Sequence, residues 1–287
     1  MPGVMDIKRK IKSVKNTQKI TKAMKMVSAA RMRKAEEAMT NARAYANKIY
    51  ELVGGIADRV EADSHPLLVA RKEVKNVCLA IITSDKGLCG AFNSNVVKKT
   101  LAFARENQDK NIKLICIGKK SYDFLGKKEF EVLEKYVSFG GKITYDEANE
   151  IGDKLVAYFL SEDVDEVHIV HNEFKSTAFQ VAKVTKVLPL VLEKQEAVAD
   201  TTDYIYEPQA EALLKEIMPR YINFTVFFSI LESIAGEHGS RMVAMDNAAR
   251  NAGEVITKLT LTFNKARQSA ITNEILDIVN GAEALNG

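Results

Sequence analysis

Four histidines, three cysteines and one glycine-containing turn are the places where this 287-residue chain could do chemistry. His168 and His171 lie three residues apart in an apolar run that reads as a β-strand. They therefore face opposite sides and cannot join one metal site. No Cys-x-x-Cys stands near to complete one. His238 falls in an otherwise apolar helical pattern beside Gly236 and Gly239, where a polar residue in a seam serves to fix register. Cys78 and Cys116 sit inside apolar strands, and Cys89 follows a turn where it could be exposed, with nothing nearby to lower its pKa. An odd number of widely spaced cysteines reads as reduced thiols of a cytosolic compartment. No Ser–His–Asp or Cys–His arrangement can be argued. The chain is therefore read as noncatalytic on its own, and no cofactor or metal is expected.

The turn Thr83-Ser-Asp-Lys-Gly-Leu-Cys-Gly-Ala-Phe-Asn93 stands where a nucleotide-binding loop would, after a first strand. It has neither G-x-G-x-x-G nor G-x-x-x-x-G-K-[ST]. Gly87 and Gly90 read as residues that permit a tight turn with positive φ, and Asp85 and Lys86 as turn and surface residues. Charge is the remaining chemical signal. Residues 1 to 50 hold thirteen lysines and arginines against Asp6, Glu36 and Glu37, so that segment carries +10 and the remainder −7. Four readings follow: a solvated helix face, an acidic protein partner, nucleic acid or an anionic membrane surface. A nucleic-acid binder would be helped by aromatics, and none precedes Tyr45. A membrane-surface helix wants bulky anchors, and the chain has no Trp. An acidic protein surface fits best.

The elements that position these residues are set by period and by proline. A 4-3 stripe runs Ile217, Tyr221, Phe224, Phe228, Leu231, Ala235, His238, Met242, Met245, Ala249, Ala252, Ile256, Leu259, Phe263, Ala266, Ala270. It predicts one helix, roughly 80 Å long over this stretch, packed along a partner. No proline occurs between Pro2 and Pro66 or after Pro219, so both chain ends can be long helices. The first is expected from about Asp6 to about Asp58, weakened at Gly54 and Gly55. Its inner face reads Ile20, Met24, Val27, Arg31, Ala35, Ala38, Ala42, Tyr45, Ile49, Leu52, with a stutter around Arg31. The two helices are expected to pair antiparallel.

Between them the period changes. Val77–Ile82, Ile112–Ile117 and Val167–Val170 are short apolar runs, alternating with helical segments at 93–106, 119–125 and 145–161. The pattern implies βαβ units and a mostly parallel sheet. Residues 173–192 read as a further strand pair ending at Pro189, and 193–207 as an acidic loop. The fold class is thus α/β: a long antiparallel two-helix coiled coil from the chain ends plus a central Rossmann-like domain. The boundaries are 1–58, 72–195 and 209–287. No apolar run approaches the ~20 residues that span a bilayer, and no secretory h-region is present.

Three segments together resemble the γ subunit of F-type ATP synthase. They are Ile11-Lys-Ser-Val-Lys-Asn-Thr-Gln-Lys-Ile-Thr-Lys-Ala-Met-Lys-Met-Val27, Ser84-Asp-Lys-Gly-Leu-Cys-Gly90, and Asn264-Lys-Ala-Arg-Gln-Ser-Ala-Ile-Thr-Asn-Glu274. The last continues into the family's C-terminal pattern at Thr272, Glu274, Asp277, Gly281 and Ala282. The resemblance is collinear over the full length. It implies a central-stalk rotor that transmits torque between the membrane c ring and the α3β3 catalytic hexamer, coupling proton or ion flow to ATP synthesis and hydrolysis. Its implied partners are the α and β subunits, the ε subunit and the c ring. It implies that Lys22, Met24 and Lys25 pass an acidic lever loop of the β subunit, and that Arg267 and Gln268 form a catch on a β-subunit loop. Tyr204, Tyr206 and Glu207 match the stretch near the c ring and ε. The plastid members' inserted cysteine pair is missing from residues 190–215, and no transit peptide precedes Met1. A bacterial type, peripheral on the cytoplasmic face of the cell membrane, is therefore expected. Two other classes remain: a nucleotide-dependent enzyme on the α/β domain, and a basic coiled-coil binder of nucleic acid.

Overall fold

The computed structural model describes residues 3–57, 65–137, 143–190 and 210–286. The chain forms two compact units. One joins Met1–Ser28 to Met242–Gly287, and the other is Ala29–Arg241. The two terminal helices, α1 (Val4–Ala57) and α5 (Ala210–Asn286), each contribute to both units.

The larger unit is built on one five-stranded sheet in the order β3-β2-β1-β4-β5. Its strands are β1 (Asn76–Ile82), β2 (Asn111–Ile117), β3 (Glu131–Tyr136), β4 (Glu166–Ser176) and β5 (Phe179–Leu188). The first four are parallel, and β5 returns antiparallel along β4. Both faces of the sheet are covered, which is why the central strands read as continuous apolar runs. Val77, Leu79 and Ile81 pack on the side of α2 (Phe92–Glu106) and α3 (Lys119–Leu125). Cys78, Ala80 and Ile82 pack on the other side, with α4 (Tyr145–Leu160) and the first half of α5. The α4 helix starts at a capping box: Thr144 Oγ1 accepts from the Glu147 N–H, and the Thr144 N–H donates to the Glu147 carboxylate at 2.8 Å.

Two sequence readings of the middle are corrected. The strand pair expected at 173–192 is the outer part of β4 with β5. The apolar run at Val167 continues through Ser176 and turns at Thr177–Ala178. Strand β3 has no counterpart in the sequence reading. It is an edge strand of sequence EVLEKY with no fully buried residue, so it lacks the apolar signal of an inner strand. The loop expected at 193–207 lies outside the described residues, as does Asp58.

On α5 the 4-3 stripe is the buried seam. All sixteen positions from Ile217 to Ala270 are buried or half-buried. The helix also begins nine residues before Pro219, so that proline lies inside it. On α1 the expected face is right in part: Met24, Ala35, Ala38, Ala42, Ile49 and Leu52 are covered. Ile20 and Val27 are 59% and 54% exposed, and Arg31 and Tyr45 are exposed too, with the Tyr45 ring 5.0 Å from that of Phe224. Beside that face runs a second line of covered positions, Ile7, Ile11, Val14, Gln18, Thr21, Lys25, Ser28, Met32, Ala35, Met39, Ala42, Ala46, Ile49 and Val53. These keep a strict 4-3 register with no stutter. The seam passes through Gln18, Thr21, Lys25 and Ser28, polar residues that an apolar-only search steps around. Three of them are satisfied within the smaller unit. The Gln18 amide donates to the Ala249 carbonyl at 3.1 Å, the Thr21 hydroxyl to the Gln18 carbonyl at 3.0 Å, and Lys25 pairs with Asp246 at 2.7 Å. The ion pair is 43% and 38% exposed at its side chains, so it contributes little net stability.

The sheet's carboxyl end depends on one glycine. Gly118 follows β2 at φ +94, and a Cβ there would collide with the Thr83 carbonyl. Gly87 has nothing within 4 Å of such a Cβ. Gly118→Ala should therefore cost about 2 kcal/mol or more, while Gly87→Ala stays near neutral. Urea unfolding of the two variants measures the difference.

Candidate functional site

Two regions hold the residues that could act. The first is the smaller unit, where the sequence placed its partner-contact residues. Lys22 is exposed, Met24 is half-buried, and Lys25 is held against Asp246. Arg267 and Gln268 are exposed, and neither side chain has a hydrogen-bond or ion-pair partner among the described residues. The Gln268 carbonyl accepts from the Thr272 hydroxyl at 3.0 Å, a bond within the helix turn. Thr272, Glu274, Asp277, Gly281 and Ala282 are all exposed. So are the large apolar residues among them: Ile271, Ile275, Leu276, Ile278 and Val279. From Ile271 to Ala282 no position is covered on any side of α5. The large apolar residues share one broad side of the helix, with Asn273, Glu274, Asp277 and Asn280 on the other, an exposed apolar face of the kind that another protein covers. Tyr204, Tyr206 and Glu207 lie outside the described residues.

The second region is the crevice at the carboxyl ends of β1 and β2, where open α/β sheets take their ligands. Here the turn after β1 closes on itself. The Ser84 N–H donates to Asn93 Oδ1 at 3.0 Å, and the Asn93 amide returns to Ser84 Oγ at 2.8 Å and to Cys89 Sγ at 3.2 Å. Ser84 Oγ donates to the Lys86 carbonyl at 2.6 Å. The Asp85 carboxylate accepts from the Lys119 N–H at 3.0 Å, which ties the turn to α3. Gly90 has positive φ as the sequence suggested, but its companion is Leu88 at φ 62, not Gly87. Cys89 is buried, against the expectation of exposure, and burial pushes its thiol pKa up. Both features disfavour the thiolate, the reactive form.

The crevice itself is covered by α5. Arg241 reaches from the helix and donates to the Gly87 carbonyl at 3.1 Å and the Lys86 carbonyl at 3.2 Å. On its other side it binds Glu237 at 2.6 Å. The fixed fork of a guanidinium suits this divided task, because it can donate in several directions within one plane. Burial raises the Glu237 pKa, and the Arg241 charge opposes that rise. His238, one residue further on, is 2% exposed. Burial and then the Arg241 and Arg31 charges lower its pKa to about 4, so it is neutral at ordinary pH. A second buried pair joins α5 to the sheet, His171 Nε2 with Glu232 Oε2 at 3.1 Å. His168 faces the opposite side, on Glu166 at 3.0 Å and against the Phe103 ring.

The sequence reading passed over Arg241, Glu237 and Glu232. The only local signal was the i,i+4 spacing of Glu237 and Arg241. Their partners in the turn and on β4 are remote in the chain. Among the described residues no three His, Cys, Asp or Glu side chains are grouped to hold a metal ion, and no helix is long and apolar enough to cross a membrane.

Comparison with known proteins adds a family. A family model described as ATP synthase matches residues 3–285. The ATP synthase gamma chain of Pelotomaculum thermopropionicum is 44% identical over 285 residues, covering 99% of this chain and 100% of that protein. That of Nitratidesulfovibrio vulgaris is 41% identical over 291 residues, with both chains fully covered. Among solved structures, a chain of the Tetrahymena thermophila mitochondrial ATP synthase central stalk and c ring is similar. Its TM-score is 0.61 at 26% identity, over 80% of this chain and 99% of that one. A chain of the Euglena gracilis mitochondrial ATP synthase shares the fold, with a TM-score of 0.70 at 18% identity, over 98% of this chain and 94% of that one.

Two measurements test the crevice. Arg241→Met leaves the Glu237 carboxylate buried without its cation and should cost about 3–5 kcal/mol. Adding Glu237→Gln should recover part of that loss in urea unfolding. The depressed pKa of His238 also has a sign. Between about 4 and the ordinary 6.5 the unfolded chain holds a proton that the folded chain refuses, so stability falls as pH drops through that window. His238→Gln removes this contribution, and its thermal midpoint should decline less steeply than the parent's across the same window.

Proposed function

The chain belongs to the ATP synthase gamma-chain family, and from that premise we propose how its surfaces meet the rest of the complex. It is a noncatalytic subunit of the ATP synthase, the rotor of the central stalk. We infer that its three parts, 1–58, 72–195 and 209–287, divide that task. The paired helix ends enter the cavity of the α3β3 hexamer, and the α/β domain forms the foot with the ε subunit on the c ring.

One observation carries this reading: the uncovered apolar end of α5 from Ile271 to Ala282. Left in water it would expose five large aliphatic residues along one side of the helix, and the wall of the hexamer's cavity is the partner surface that would cover them. The charge distribution supports the same reading. The +10 of residues 1 to 50 suits an acidic lever loop of the β subunit, which Lys22, Met24 and Lys25 would pass. Charge can push at close range without the fixed fit that would stall rotation. Arg267 and Gln268 are spare donors on the outside of α5, and a guanidinium can bind a carboxylate twice. We assign them to the catch on a β-subunit loop, and Tyr204, Tyr206 and Glu207 to the c ring or ε. Coupling of proton or ion flow to ATP synthesis and hydrolysis follows from that placement. The bacterial relatives support a peripheral position on the cytoplasmic face of the cell membrane.

Arg267→Ala tests the assignment in the assembled complex. ATP turnover should fall roughly tenfold, the equivalent of one charge-assisted hydrogen bond lost across an interface. The thermal midpoint of the chain should stay within error of the parent. An equal loss in both measurements would remove Arg267 from the catch.

A further inference from the structure

We propose that the cavity enclosed by α1, α5 and the Ser84–Gly90 turn binds a small tetrahedral oxyanion, with His238, Ser233 and Arg31 as its donors. The cavity holds about 80 Å³ and lies within the larger unit, at the ends of β1 and β2. That is room for a few water-sized atoms. It suits four oxygens around one centre and is far below the several hundred Å³ of a nucleotide-sized pocket.

Ser233 and His238 line it, and each has a buried polar atom, Ser233 Oγ and His238 Nε2, with no partner among the described residues. Their residues are 3% and 2% exposed. Unpaired buried polar groups are uncommon because each forfeits its hydration. The histidine atom can be identified as a donor. His238 Nδ1 faces the Arg241 guanidinium at 3.4 Å, and a guanidinium only donates. The lone pair therefore sits on Nδ1 and the hydrogen on Nε2. Ser233 adds a hydroxyl that can rotate to donate. Arg31 lines the same cavity from α1 and has no hydrogen-bond or ion-pair partner among the described residues.

The charges around the cavity favour an anion. Arg31, Arg241 and Lys86 stand against Glu237 and Asp85. Glu237 is bound by Arg241, and the Asp85 carboxylate accepts from the Lys119 N–H. Water would serve the two neutral donors but would leave the excess of Arg31, Arg241 and Lys86 over Glu237 and Asp85 unanswered. An oxyanion supplies acceptors and charge together. It would also join α1, α5 and the turn through one bound group, so binding stabilises the folded larger unit.

The test is calorimetric titration of the full-length chain with inorganic phosphate and with sulfate at constant ionic strength. The parent should show saturable binding of about one ion per chain, accompanied by a rise in thermal midpoint. Arg31→Gln and Ser233→Ala should each weaken binding about tenfold or more. His238→Gln, which keeps an N–H donor, should weaken it less than His238→Leu. Lys258→Gln, at an exposed cation of the smaller unit, should leave it unchanged. No saturable binding by the parent overturns the proposal, as does binding unaffected by Arg31→Gln and Ser233→Ala. Displacement of phosphate by ADP would instead make the site a nucleotide subsite, against the cavity's size, and would overturn it too.

Discussion

A long helix with one continuous apolar seam cannot stand alone in water. That constraint on α5 organises everything else in the chain. Ordering costs roughly 1–2 kcal/mol per residue of backbone entropy, and one seam must be covered along its length to offset it. The protein meets the requirement twice. In the larger unit, residues 221–241 are almost all covered, by the sheet, α4 and the second half of α1. In the smaller unit, Met245, Ala249 and Ala252 are buried alongside the first turns of α1. Small residues there let the two backbones approach closely enough for the Gln18 amide to reach a main-chain carbonyl.

Where α5 is covered on all sides, it also carries polar groups, and two of them bind the α/β domain. Glu232 takes His171, and Arg241, held by Glu237 one turn earlier on the same helix, takes the turn after β1. Apolar packing alone tolerates small slips of a helix along its axis. Buried pairs of this kind do not, because a slip leaves a charge without its partner. A subunit that transmits torque needs that property where the helix meets the sheet. Arg241 and Glu237 also line the crevice that other doubly wound proteins leave open for ligands. This gives a physical reason for an α/β domain that serves as structure and not as a nucleotide site.

The uncovered end of the same helix has the opposite character. From Ile271 to Val279 its large aliphatic residues are exposed, and Arg267 and Gln268 present unused donors. The family supplies the missing surroundings: a noncatalytic rotor among catalytic subunits.

The chain alone determined whatever is written in backbone periodicity. The seam of α5, the βαβ alternation and the opposite faces of His168 and His171 follow from periods of 3.5 and 2, and the terminal motifs carried the family. The face of α1 followed only in part. Its covered positions include Gln18, Thr21, Lys25 and Ser28, and only a partner helix can reveal that a polar residue is satisfied inside a seam. Strand β3 was hidden for the related reason that an edge strand need not be apolar. The pairs that fix α5 join residues 61 and 154 apart in sequence. No local pattern encodes them, because such side chains meet only when the sheet and the two helices have closed around each other.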